Sequence, residues 1–143
     1  MYDSVLLPTD GSDGAVDALQ HALGAVTAYG AELHILSVVD RRVILAADAD
    51  EKSTVRNELS QEATEAVDDL DTRAIDAGVS GTTATLEGVP YREILSYAQD
   101  NSIGLLVIGT QGRTGKEKRL NLGSTTERVV KQATRPVLVV DIG

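Results

Sequence analysis

"DSVLLPTDGSDGAVDALQHALGAVTAYGAELHILSVVD", residues 3–40, is the stretch whose reading decides the fold. It opens with "DSVLLP" (3–8), an aliphatic run that reads as a buried strand. Residues 12–30 follow, with Val16, Leu19, Leu23 and Val26 at the three-to-four spacing of one helix face. "ELHILSVVD" (32–40) then returns to strand.

The same alternation runs to the end of the chain. Val55, Leu59, Ala63, Ala66, Val67, Leu70 and Ala74 make 53–77 a long amphipathic helix, stopped at Gly78. "TTATLEG" (82–88) is a more polar strand, and "VPYREILSYAQD" (89–100) a helix with Pro90 in its first turn, where proline is tolerated. "GLLVIG" (104–109) reads as strand, 123–133 as helix and "PVLVVD" (136–141) as strand. Such a β-α-β-α-β-α-β-α-β order predicts an α/β fold: a parallel sheet with helices on both faces and right-handed crossovers. The aliphatic runs 4–8, 104–108 and 136–140 look like central strands. The one long uncertain connection is 40–52, which reads either as a mobile loop or as the start of the second helix. No repeat, low-complexity tract or linker divides residues 1–143, so one domain is expected.

At 143 residues the chain buries roughly 68–70% of its unfolded surface and needs no disulfide or metal to hold it. It has no cysteine, which excludes disulfides and thiolate metal sites. Asp3 and Asp10 interrupt the first apolar run, which does not resemble a signal peptide, and no run approaches the ~20 residues of a membrane span. A cytoplasmic protein is the expectation. The formal net charge of -9 argues against nucleic acid as a main partner. The basic residues are mostly Arg, with four Lys, and Asp outnumbers Glu. That balance fits a high-salt cytoplasm or an ordinary acidic protein equally well; an unfolding midpoint that ignores rising KCl would remove the first.

In an open α/β sheet, ligands bind beyond the carboxyl ends of the strands. "PTDGS" (8–12), "SVVD" (37–40) and "GTQG" (109–112) are therefore the places to search. Ser124 and Glu127 have the spacing of a capping box at the start of the last helix, and the N–H groups of that turn suit an anion. Gly109 and Gly112 allow close backbone approach. Arg113, Lys116, Lys118 and Arg119 follow, in a chain that is otherwise acidic, either as a solvated loop face or to neutralise a polyphosphate. This is not a phosphate loop of the G-x-x-x-x-G-K-[ST] type: Thr110 stands at the first glycine position and Glu117 at the last. Asp10 could meet phosphates through Mg²⁺ or Mn²⁺, bond a ribose hydroxyl, or cap the helix near Ser12. His21 and His34 form no metal pair, and no spacing identifies a general base.

"VLLPTDGSDGA", "GVPYREIL", "LLVIGTQGRTG" and "LGSTTERVVKQATRPVLVV" together resemble the universal stress protein family, in order and over essentially the whole chain. The resemblance implies a doubly wound, Rossmann-like sheet of order 3-2-1-4-5, homodimers and, in one branch, ATP. That branch carries Gly, two residues, Gly, nine residues, Gly and Ser or Thr. Gly109, Gly112, Gly123 and Ser124 match, but ten residues, Arg113 to Leu122, replace the nine. Gln111 stands where such proteins often have His. The resemblance further implies that Pro8, Thr9 and Asp10 line a nucleotide pocket and that Val38 or Val39 meets adenine through backbone groups. Gly109, Gly112 and Arg113 would border the phosphates, with Gly123, Ser124 and Thr125 closing the site.

With that order the last strand lies at an edge, and nothing charged guards Val137 to Val140. Pairing with a second copy through 136–141 would cover it, so a homodimer is expected. The leading expectation is a cytoplasmic, ATP-binding, nucleotide-dependent stress or regulatory module with an unidentified protein partner. A dimeric interaction module without nucleotide and a slow ATPase are the alternatives.

Overall fold

Val5, Leu6 and Leu7 alternate across a strand, and all three are fully buried. Both faces of that strand must therefore be covered, which is why its sequence is a continuous aliphatic run rather than an alternating one. The structure, a computed structural model, describes residues 1–110 and 123–141. Five parallel strands lie in the order β3-β2-β1-β4-β5: β1 (Ser4–Pro8), β2 (Glu32–Asp40), β3 (Gly81–Gly88), β4 (Leu105–Gly109) and β5 (Val137–Val140). The expected fold and strand order are thus present.

Helices α1 (Asp13–Tyr29) and α3 (Lys52–Asp76) cover one face, where Val5, Leu7, Leu33 and Ile35 meet Leu19, Ala22, Val67 and Leu70. Helices α4 (Pro90–Asp100) and α5 (Ser124–Gln132) cover the other, where Leu6, Leu36, Leu106 and Ile108 meet Ile94, Ala98 and Val129. Pro90 is the first residue of α4, where its missing N–H costs nothing. Arg135 ties the α4 end of the molecule together by donating to the carbonyls of Ala98 and Ile103.

Two readings are corrected. The 40–52 connection contains a separate short helix, α2 (Arg41–Ala46), started by the Asp40 side chain, which accepts the Arg42 N–H at 3.0 Å. The 136–140 run, whose aliphatic composition suggested a central strand, is an edge strand, as the order 3-2-1-4-5 implies: Leu138 is 40% exposed. Aliphatic composition alone does not distinguish a strand covered on both faces from one that also forms a sheet edge.

The order of the sheet creates the crevice that matters below. Helix α1 leaves β1 toward one face and α5 leaves β4 toward the other, so the carboxyl ends of these neighbouring strands lie open between diverging connections. Backbone bonds hold those ends: Thr9 N–H donates to Leu36 (2.8 Å) and Thr110 N–H to Val140 (3.0 Å).

Candidate functional site

A cavity of about 260 Å³ occupies this crevice. Its apolar walls are Leu36 and Val38 from β2, Ile94 from α4 and Ile108 from β4. Its polar rim is built from Thr9, Asp10, Asp40, Arg42, Thr110, Ser124 and Thr125. A mainly apolar pocket with a few convergent polar groups suits a small ligand with one flat apolar part and one charged end.

The β1–α1 turn is braced by its own side chains. Thr9 Oγ1 accepts the Gly11 N–H at 3.0 Å, and Asp10 Oδ1 accepts the Ser12 N–H at 2.9 Å. Gly11 takes φ 83°, open to glycine without strain. Asp10 is exposed at the cavity edge, so bracing the turn and facing a ligand are compatible.

Asp40 sits at the end of β2 and accepts from the backbone N–H, Nε and Nη2 of Arg42, the last two at 2.9 and 2.8 Å. The hydrogen-bonded Arg42 guanidinium holds the Asp40 carboxyl below its ordinary value, against an opposing contribution from partial burial. The pair places one compensated positive charge at the cavity wall.

On the opposite wall, α5 begins at Gly123, whose φ 87° and ψ 146° lie in a region open essentially to glycine alone. The expected capping box is absent. Ser124 is the first helical residue and not the N-cap; no side chain caps the helix. Glu127 bonds Lys131 at 2.8 Å, and its N–H donates to the Gly123 carbonyl. A glycine in this conformation turns the chain into the helix without a side-chain cap, and an i,i+4 cation outcompetes the Ser–Glu arrangement. First-turn N–H groups have no acceptor inside their own helix and carry the positive end of its dipole, so Ser124, Thr125 and Thr126 bring an anion-seeking surface to the cavity. Thr126 is 2% exposed and donates Oγ1 to the Gly109 carbonyl at 2.9 Å, bolting this helix start to the end of β4.

Of the residues singled out from sequence, Pro8, Thr9, Asp10, Val38, Gly109, Ser124 and Thr125 line this one cavity. Gly123 stands at the cap beside it. Val39 does not line it: its side chain points to the other face of β2, against Ile44 and Ala63. Gly112, Arg113 and the basic residues Lys116, Lys118 and Arg119 lie outside the described residues. Sequence reasoning missed Asp40, Arg42, Pro90, Ile94 and Thr126. Asp40 was within reach, since it closes one of the three strand ends flagged; Ile94 was not, since nothing local tells a cavity wall from core.

Among the described residues no three His, Asp or Glu side chains gather as a metal cage, and no helix is long and apolar enough to cross a membrane. His34 is buried, its Nδ1 2.7 Å from the Tyr97 hydroxyl, and burial pushes that phenol upward.

A model of the universal stress protein family matches residues 1–141. Universal stress protein MJ0531 of Methanocaldococcus jannaschii is 39% identical over 141 residues, covering 98% of this chain and 82% of its own. The solved structure of MJ0577, from the same organism and described as a structure-based assignment of biochemical function, aligns with TM-score 0.84 at 33% identity over 98% of this chain and 96% of that one. A universal stress protein crystallised in complex with cAMP aligns with TM-score 0.75 at 26% identity over 99% of each chain.

Proposed function

The chain belongs to the universal stress protein family, and on that premise we propose that it binds an adenine nucleotide, ATP foremost, in the β1–β4 cavity and acts as a nucleotide-dependent regulatory module. The observation that carries this reading is the opposition of an apolar slot (Leu36, Val38, Ile94) to a helix start capped only by glycine. The first suits a base, the second a phosphate. The cAMP held by a relative of the same fold supports the ligand class.

In this arrangement Val38 and Leu36 flank adenine, while Gly109, Ser124 and Thr125 border the phosphates together with Gly112 and Arg113. Asp10 would hold a Mg²⁺ or Mn²⁺; such ions take as few as one or two carboxylates, so a lone exposed Asp fits. When bound, the ion would neutralise charge between Asp10 and the ligand. A second copy would pair along 136–141, covering Leu138 and the open β5 edge.

The ten-residue spacing between Gly112 and Gly123 favours one second reading, a dimeric interaction module of the same fold without nucleotide. Titration calorimetry with ATP, AMP and cAMP, with and without Mg²⁺, separates the two. Heat with ATP that is weakened in Gly123→Ala, with urea denaturation confirming a folded variant, supports the proposal. A folded wild-type protein giving no heat with any of the three refutes it. Steady phosphate release abolished by Asp10→Ala would add slow hydrolysis to binding.

A further inference from the structure

At the first turn of α4, next to the cavity, two guanidinium groups converge on one aromatic ring. Arg92 Nε donates to the Tyr91 hydroxyl at 2.9 Å, with its Cζ 5.5 Å from the ring centroid. Arg128 comes from α5, 37 residues along the chain, and places its Cζ 5.1 Å from the same centroid. Among the described residues, Arg42, Arg56, Arg73 and Lys131 each have a carboxylate within ion-pair distance; Arg92 and Arg128, like Arg41, Lys52 and Arg135, have none, although the neighbouring Glu127 lies within electrostatic reach of Arg128. Two like charges held at one ring repel each other, and an anion between them removes that repulsion. Their field already acts on the ring: the Arg92 hydrogen bond foremost, opposed by desolvation and helped by the charges of Arg92 and then Arg128, holds the Tyr91 phenol below its ordinary value.

The cluster neighbours three residues that line the cavity. Pro90, which lines it, is bonded to Tyr91. Ser124, which also lines it, shares a helix face with Arg128 one turn on. Arg42, a third lining residue, lies within electrostatic reach of the same phenol. The N-termini of α4 and α5 both deliver their positive dipole ends to this rim. The cavity itself, at about 260 Å³, is smaller than most ligand pockets.

We propose that Arg92 and Arg128, organised by Tyr91, form an anion subsite that grips the distal phosphate of a nucleotide bound in the cavity, so that the protein distinguishes nucleotides by phosphate number. This rests on the nucleotide reading above. The subsite is exposed, and its grip weakens in high salt.

The test uses ATP, AMP and inorganic tripolyphosphate on the wild type and on an Arg92→Gln/Arg128→Gln double variant. The double variant is expected to bind ATP about tenfold more weakly, as for loss of two exposed charge-assisted contacts, and AMP within about twofold of wild type. Tripolyphosphate should raise the pH at which Tyr91 ionises in the wild type, read as phenolate absorbance and assigned by its loss in Tyr91→Phe, and should not do so in the double variant. Equal weakening of ATP and AMP, or none, overturns the subsite while leaving the nucleotide reading intact. No nucleotide binding together with a tripolyphosphate response lost in the double variant keeps the subsite and removes the nucleotide reading. No response to any of the three removes both.

Discussion

Thr126→Val tests whether the α5 start must be bolted to β4 for the cavity to work. The change swaps one hydroxyl for a methyl at a site 2% exposed and removes the 2.9 Å donor to the Gly109 carbonyl. A buried hydrogen bond lost with its acceptor left behind costs about 1–2 kcal/mol. For a chain of this size that corresponds to roughly 3–8 °C in melting temperature. Gly109 and the first turn of α5 are facing walls of the cavity, so their separation should also weaken ATP several-fold. Thr126→Ser is the control: it keeps the donor and loses one methyl, worth about 1 kcal/mol by transfer alone. Scanning calorimetry and ATP titration on both variants give the answer. The expected pattern is two destabilised proteins, of which only the valine variant loses affinity. A valine variant that melts and binds like wild type, or a serine variant that loses affinity as much, would refute the reasoning.

Asp40 is expected to add acid sensitivity. Its folded-state carboxyl lies below the ordinary value of 3.8 because Arg42 bonds it, so its contribution is complete above that value and is lost as pH falls through the folded one. Asp40→Asn should cost about 0.5–1 kcal/mol at neutral pH, as for a partly exposed cap and ion pair, and flatten urea-midpoint profiles below pH 4; an unchanged profile contradicts the pairing. Val39→Ala should destabilise the fold by about 2 kcal/mol with ATP affinity retained, because its side chain faces Ile44 and Ala63; Val38→Ala should do the reverse, and titration of both variants checks the assignment. Leu138→Lys at the β5 edge should convert a dimer to a monomer by light scattering at micromolar concentration, and a wild-type monomer there would remove the edge-pairing proposal.

The strands and helices were legible because their signals are local. Helical spacing from Val16 to Val26 and the unbroken aliphatic runs 4–8 and 104–108 report burial on one face or two, and burial follows from chain periodicity. The family motifs carried the strand order and several cavity residues with them. Local rules failed where two good local choices competed. Ser124 and Glu127 have capping-box spacing, yet Gly123 starts the helix and Lys131 takes the Glu127 carboxylate. The Asp40 cap of α2 was readable as an Asp before a basic turn, but the run after it read as a loop or as the start of the next helix.

Sequence alone determined that this is an acidic α/β chain with small and polar residues at three strand ends. Which of those residues face one another was decided only when β1 and β4 became neighbours and their helices left on opposite faces. Pleat parity then put Val38 in the cavity and Val39 in the core. The packing of α4 on α5 brought Arg128 onto Tyr91 across 37 residues. Such contacts leave no periodic trace, because the energy that makes them comes from burying Ile94, Ala98 and Val129 beneath them and not from the charged residues that end up together.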